Sequence, residues 1–140
     1  MNILVVDDAV STAEIIKKHI ETWGHHVEIA FTGQDALKMV TKKVFDLIVL
    51  DIYLPDCMGH ELIPEFKKAR PDMGIVAITG YNSRELELAV REKGVIFFMV
   101  KPFNLNEMKQ VLDHYSKKME NETWWNSKIR FAIGLIIRYD

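Results

Sequence analysis

Apolar residues in this chain come in short continuous runs. Between the runs lie longer segments where they recur every three or four positions. The first run, residues 2–6, ends on the pair Asp7-Asp8. Ile15, Ile16, His19, Ile20 and Trp23 then predict one inward side of a helix, opened by Ser11 or Thr12 and closed by Gly24. Val27, Ile29 and Phe31 alternate, the pattern of a second, less buried strand over 26–31. Thr32-Gly33 should start a helix carrying Ala36, Leu37 and Val40 on one face. Leu47-Ile48-Val49-Leu50 is uniformly apolar and ends on Asp51, as a strand buried on both faces would. Leu54-Pro55-Asp56 with Gly59 reads as the loop after it. A helix is expected from about residue 58 to 69, with Leu62, Ile63 and Phe66 inward and Pro71 and Gly74 beyond its end. Residues 75–78 form the fourth run and end on Thr79-Gly80. Asn82 or Ser83 caps the helix of Leu86, Ala89 and Val90, closed by Gly94. The fifth run, 95–100, ends on Lys101-Pro102. Asn104 and Glu107 suit a capping box for a last helix with Leu105, Met108, Val111, Leu112 and Tyr115.

Five predicted strands alternating with five helices imply an α/β domain with a parallel sheet and right-handed crossovers. Ligands of such sheets bind beyond the carboxyl ends of the strands. The polar residues there are Asp7, Asp8, Asp51, Thr79 and Lys101. Singly, each has an ordinary explanation as a cap or a solvated group. Four strand ends delivering three carboxylates, a hydroxyl and an ammonium to one edge are not explained by solvation alone.

Composition narrows the classes. A chain of 140 residues is long enough for one domain with a real core. A net charge of −2 implies neither nucleic-acid affinity nor membrane attraction by itself. Cys57 is the single cysteine, so no internal disulfide forms and a reducing, cytoplasmic setting is expected. Asp7 and Asp8 interrupt the first apolar run, so no signal peptide is expected. No apolar stretch reaches the ~20 residues of a spanning helix. The five histidines show no ligand spacing.

Three clustered carboxylates repel one another unless a cation sits among them. Oxygen ligands favour a hard cation, with Mg2+ the first choice. One carboxylate can then act as nucleophile toward a phosphoryl group, while the cation and a lysine neutralise its oxygens. The threonine can donate to a phosphoryl oxygen once one is attached. The chemistry these groups suit is phosphorylation of an aspartate.

The motifs Leu-Val-Val-Asp7-Asp8, Leu-Ile-Val-Leu-Asp51-Ile-Tyr-Leu-Pro, Ile-Thr79-Gly and Val-Lys101-Pro-Phe, in this order and spacing, resemble the receiver domain of bacterial two-component response regulators over residues 1–119. The resemblance implies a flavodoxin-like fold with strand order 2-1-3-4-5. It implies that Asp51 accepts a phosphoryl group from a histidine kinase or histidine phosphotransfer protein, the chain not being a conventional enzyme. Asp7, Asp8, Asp51 and the backbone carbonyl of Tyr53 would hold Mg2+. Lys101 would bind the phosphoryl group and its bond to Pro102 would be cis. Thr79 and Phe98 would be the switch pair, Phe98 turning inward as Thr79 moves. As a stand-alone receiver, the chain would signal by phosphorylation-dependent contact with a downstream protein. Tyr53 and Tyr81, two residues past Asp51 and Thr79, would exclude water and slow loss of the phosphoryl group. The alternative is a receiver-like scaffold or dimerisation module that takes no phosphate. A dehalogenase-type phosphatase would need an aspartate where Tyr53 stands, and a nucleotide-binding enzyme would need glycines in place of Asp-Asp-Ala-Val.

Residues 120–140 are an apolar extension of that domain. Ile129, Phe131, Ile133, Leu135, Ile137 and Tyr139 occupy every second position, and this alternation predicts a strand. A helix would instead line up Asn126, Arg130, Gly134 and Arg138 as a narrow polar stripe. A strand of this kind needs a sheet edge, and pairing with a second copy would supply one, making the protein a homodimer through this extension. Membrane contact is a further use for such a segment, and no membrane span or nucleic acid is expected.

Overall fold

A computed structural model of the chain describes the backbone of residues 1–138 and side chains as far as Ile129. Strands β1 (Asn2–Val6), β2 (His26–Ala30), β3 (Leu47–Asp51), β4 (Gly74–Thr79) and β5 (Phe97–Val100) form one sheet in the order β2-β1-β3-β4-β5, every pair parallel. Helices α1 (Val10–Thr22), α2 (Gly33–Lys42), α3 (Ile63–Ala69), α4 (Arg84–Glu92) and α5 (Leu105–Arg138) follow the strands in turn. This is the flavodoxin-like arrangement. The chain divides into two compact units, Met1–Leu105 and Asn106–Asp140, and the whole sheet lies in the first.

The central strands explain why the apolar runs were continuous rather than alternating. Every residue of β3 and β4 is buried, which requires cover on both faces. On one face Leu4, Val6, Ile48, Leu50 and Ile75 pack with Ala36 and Val40 of α2 and Ile63 and Phe66 of α3. A smaller cluster joins Ile52, Ala77, Val90 and Phe98. Thr32 caps α2 through the amide of Asp35, and Ser83 caps α4 through that of Leu86. Gly24 and Gly94, both at positive φ, end α1 and α4 as expected.

β2 stops at Ala30 and leaves Phe31 outside it and exposed, and β5 starts only at Phe97; beyond these shifted boundaries the structure departs from the sequence pattern in four places. Neither Ser11 nor Thr12 caps α1; the carboxylate of Asp7 takes the amide of Ala9 at 2.9 Å, and the helix starts at once from Val10. Ala13, Ile16 and Ile20 form the buried line of α1, so Ile15, one position off that line, faces water. The expected helix over 58–69 is split into a 3-10 turn, Gly59–Leu62, and α3. Pro64 causes the split: it has no amide to donate back to residue 60, yet fits the first turn of a new helix.

The fourth departure is the C-terminal segment. Residues 120–138 are helix, not strand, and belong to the unbroken 34-residue α5. No proline interrupts the chain after residue 102, so adding turns to an existing helix costs less than starting a strand. A helix satisfies its own backbone hydrogen bonds, and the need for a sheet edge disappears. Tyr139, the last position of the alternating pattern, and Asp140 after it lie outside the described residues.

Candidate functional site

The parallel sheet brings four strand ends to one edge, with backbone hydrogen bonds holding each in place. The amide of Asp7 donates to the carbonyl of Ala30 at 3.1 Å, that of Ile52 to Ile78 at 3.0 Å, and that of Lys101 to Thr79 at 2.7 Å. The Lys101-Pro102 bond is cis, as the resemblance implied.

Asp7, Asp8 and Asp51 come together there. Each offers a carboxylate oxygen within 4.8 Å of the others; Asp7 and Asp51 are buried and Asp8 is exposed. Lys101 Nζ donates to Asp7 Oδ2 at 2.8 Å and to Asp51 Oδ2 at 2.9 Å, bridging the two buried carboxylates. Their other oxygens accept backbone amides, Oδ1 of Asp7 from Ala9 at 2.9 Å and Oδ1 of Asp51 from Tyr53 at 3.2 Å. Burial pushes the Asp51 carboxyl above its ordinary pKa, and nearby Asp7 adds to this against the pull of Lys101. Burial also acts to lower the pKa of Lys101, but its bonds to Asp7 and Asp51 outweigh that and leave it raised. An all-oxygen donor set around a partly neutralised carboxylate pair fits one hard divalent cation.

Thr79 is buried at the end of β4. Its hydroxyl donates to the carbonyl of Tyr81 at 2.8 Å and accepts the amide of Tyr81 at 3.2 Å. The hydroxyl is thus engaged with its own loop rather than with Asp51. Phe98 lies in the cluster with Ile52, Ala77 and Val90, only 8% exposed, with the guanidinium of Arg91 5.8 Å from its ring centroid. The expected inward turn of Phe98 therefore meets a ring that is already inside. Phenylalanine has no hydroxyl to reward an outward position, so packing decides.

Two residues legible in the sequence only as loop punctuation shape the surroundings of Asp51. Gly59 donates its amide to the carbonyl of Ile52, and a Cβ added there would run into the carbonyl oxygen of Asp51. The loop after β3 thus folds back onto the backbone of Asp51 itself. Asp56 accepts the amides of Gly33 and Gln34, both at 2.9 Å, tying this loop to the start of α2. Those amides hold the Asp56 carboxyl below the usual carboxylate pKa. No local pattern signals this link, because its partners are 22 and 23 residues apart. Cys57 packs against Gly33; burial and then Asp56 push its thiol pKa up, which leaves it a packing residue rather than a nucleophile.

An acidic pocket at the carboxyl edge of a five-stranded parallel sheet, with a lysine bridging two of its aspartates, is the arrangement that the receiver resemblance implied. The response regulator receiver domain family matches residues 3–113, and this chain belongs to that family. It is 32% identical over 113 residues to the transcriptional regulatory protein ZraR of Salmonella typhimurium, a match covering 81% of this chain and 26% of that one. The chain thus spans about a quarter of the curated relatives it matches. Among solved structures it is similar to a CheY-like receiver domain protein from Methanospirillum hungatei, with 35% identity and a TM-score of 0.76, covering 84% of this chain and 97% of that one. It is also similar to the beryllofluoride-activated NtrC4 receiver domain dimer, with 31% identity and a TM-score of 0.79, covering 84% and 97%.

Proposed function

We propose that Asp51 accepts a phosphoryl group from a phosphohistidine of a histidine kinase or histidine phosphotransfer protein. The observation that carries this reading is the convergence of Asp7, Asp8 and Lys101 on the carboxylate of Asp51. An oxygen of Asp51 attacks phosphorus; the O–P bond forms, the P–N bond breaks, and the histidine leaves with the electron pair. Lys101 is already on Oδ2 of Asp51 and meets the negative charge arriving with the phosphoryl group. Asp7, Asp8, Asp51 and the carbonyl of Tyr53 would hold Mg2+, which when bound neutralises charge on the transferred group. Thr79 would leave the Tyr81 backbone for a phosphoryl oxygen. The chain assists a reaction on itself and is not an enzyme in the conventional sense.

The finer readings are proposals as well. The receiver acts in the cytoplasm and signals by phosphorylation-dependent contact with a downstream protein. Among the described residues no helix is long and apolar enough to cross a membrane. Homodimerisation is supported by likeness to the NtrC4 receiver dimer and no longer by strand pairing of residues 120–140. A scaffold that takes no phosphate has no observation in its favour, since the acidic set and Lys101 are intact.

The test is labelling with acetyl phosphate and Mg2+, with the mass in solution read before and after beryllium fluoride. Asp51→Asn should keep the fold and take no label, and Asp8→Ala should raise the Mg2+ concentration needed. Wild-type labelling of Asp51→Asn would overturn the assignment.

A further inference from the structure

Helix α5 carries a feature that the phosphoacceptor chemistry does not use. Trp124 and Trp125 are 57% and 60% exposed, their rings stacked with centroids 5.9 Å apart. Lys128 Nζ stands 5.1 Å from the centroid of the Trp124 ring, and Ile129 beside it is also exposed. Charge changes sign at the same place. Glu120 and Glu122 precede the tryptophans, whereas residues 123–138 contain Lys128, Arg130 and Arg138 and no acid, in a chain of net charge −2.

The helical backbone gives the sequence pattern a new meaning. Asn126, Arg130, Gly134 and Arg138 recur every four residues, the spacing of one face. Apart from Arg130 and Gly134, all positions from 129 to 137 are apolar. A seam between two paired helices uses only about two positions in seven. Pairing with a second copy would therefore leave most of these apolar positions in water. A lipid surface accepts a wide apolar face while a narrow basic stripe stays among the headgroups. Tryptophan prefers that interface, and lysine keeps its ammonium in water while its stem lies along apolar surface.

We propose that residues 123–138 dock in the plane of an anionic membrane surface and tether the receiver there. The basic stripe favours an in-plane helix, because a crossing helix would carry Arg130 and Arg138 through the hydrocarbon.

The test uses the full chain with Trp23 replaced by Phe, so that tryptophan emission reports α5 alone. It is mixed with phosphatidylcholine vesicles and with vesicles that also contain phosphatidylserine. The expected result is co-sedimentation with the serine-containing vesicles, a blue shift of the emission, and release by salt. Lys128→Gln should weaken binding by about fivefold, and Trp124→Ser with Trp125→Ser should abolish it, while acetyl phosphate still labels Asp51 in both. No binding to anionic vesicles, or equal binding to both kinds, would overturn the proposal. So would a protein that stays off vesicles but sediments at twice the monomer mass until both tryptophans are replaced. That outcome would assign the face to a second copy.

Discussion

The rings of Tyr53 and Tyr81 meet edge to face, with centroids 6.1 Å apart and planes at 85°. They follow Asp51 and Thr79 by two residues each, so the sheet alone brings them together across two loops. Loss of an acyl phosphate from Asp51 would need a water in line with phosphorus, and the backbone amide of Tyr53 is bonded to Asp51 Oδ1 at 3.2 Å. Replacing Tyr53 with Asn and Tyr81 with Ser should shorten the phosphorylated lifetime by about tenfold, equivalent to about 1.4 kcal/mol of barrier. Decay of radiolabelled protein after removal of the donor measures this. An unchanged lifetime would show that the rings do not exclude water.

Lys101 separates two buried carboxylates. Lys101→Met would leave Asp7 and Asp51 facing each other without a cation and should cost about 2 kcal/mol in metal-free protein, reduced for the partial exposure of the lysine. Mg2+ should recover most of that loss. Urea unfolding with and without Mg2+ decides it, and a loss of the same size in both conditions would contradict the electrostatic account.

Gly59 has no room for a side chain against the Asp51 carbonyl. Gly59→Ala should destabilise the protein by about 2 kcal/mol and also slow phosphorylation, since the strain falls on the backbone of the acceptor. Unfolding and acetyl phosphate labelling would be measured together. Lost stability with unchanged labelling would show that the loop yields without disturbing Asp51.

Asp56 predicts a pH dependence. Its folded pKa lies below the ordinary value because its ionised form accepts two amides at the start of α2. A depressed carboxylate pKa contributes stability above the unfolded value, and this is lost as pH falls through the folded value. The gap in stability between wild type and Asp56→Ala should therefore be full at neutral pH and shrink on the acid side. A gap that stays constant into acid would show that charge plays no part in the link.

Much of this protein was legible in its sequence because the physics involved is local. Runs such as residues 47–50 and 75–78 are apolar throughout because both faces of a central parallel strand are covered. The polar groups that matter stand where those runs stop, so Asp7, Asp8, Asp51, Thr79 and Lys101 could be named from position alone. The tertiary structure decided what depends on distance between segments. It placed Lys101 between Asp7 and Asp51, engaged Thr79 with Tyr81, and tied Asp56 to α2 from 22 and 23 residues away. It buried Phe98, where packing with Ile52, Ala77 and Val90 outweighs any local preference. It also decided the C-terminal segment. Alternation and a four-residue stripe coexist in residues 126–138, and only the helix running on from α5 selects between them, because a helix completes its own hydrogen bonds while a strand needs a neighbour.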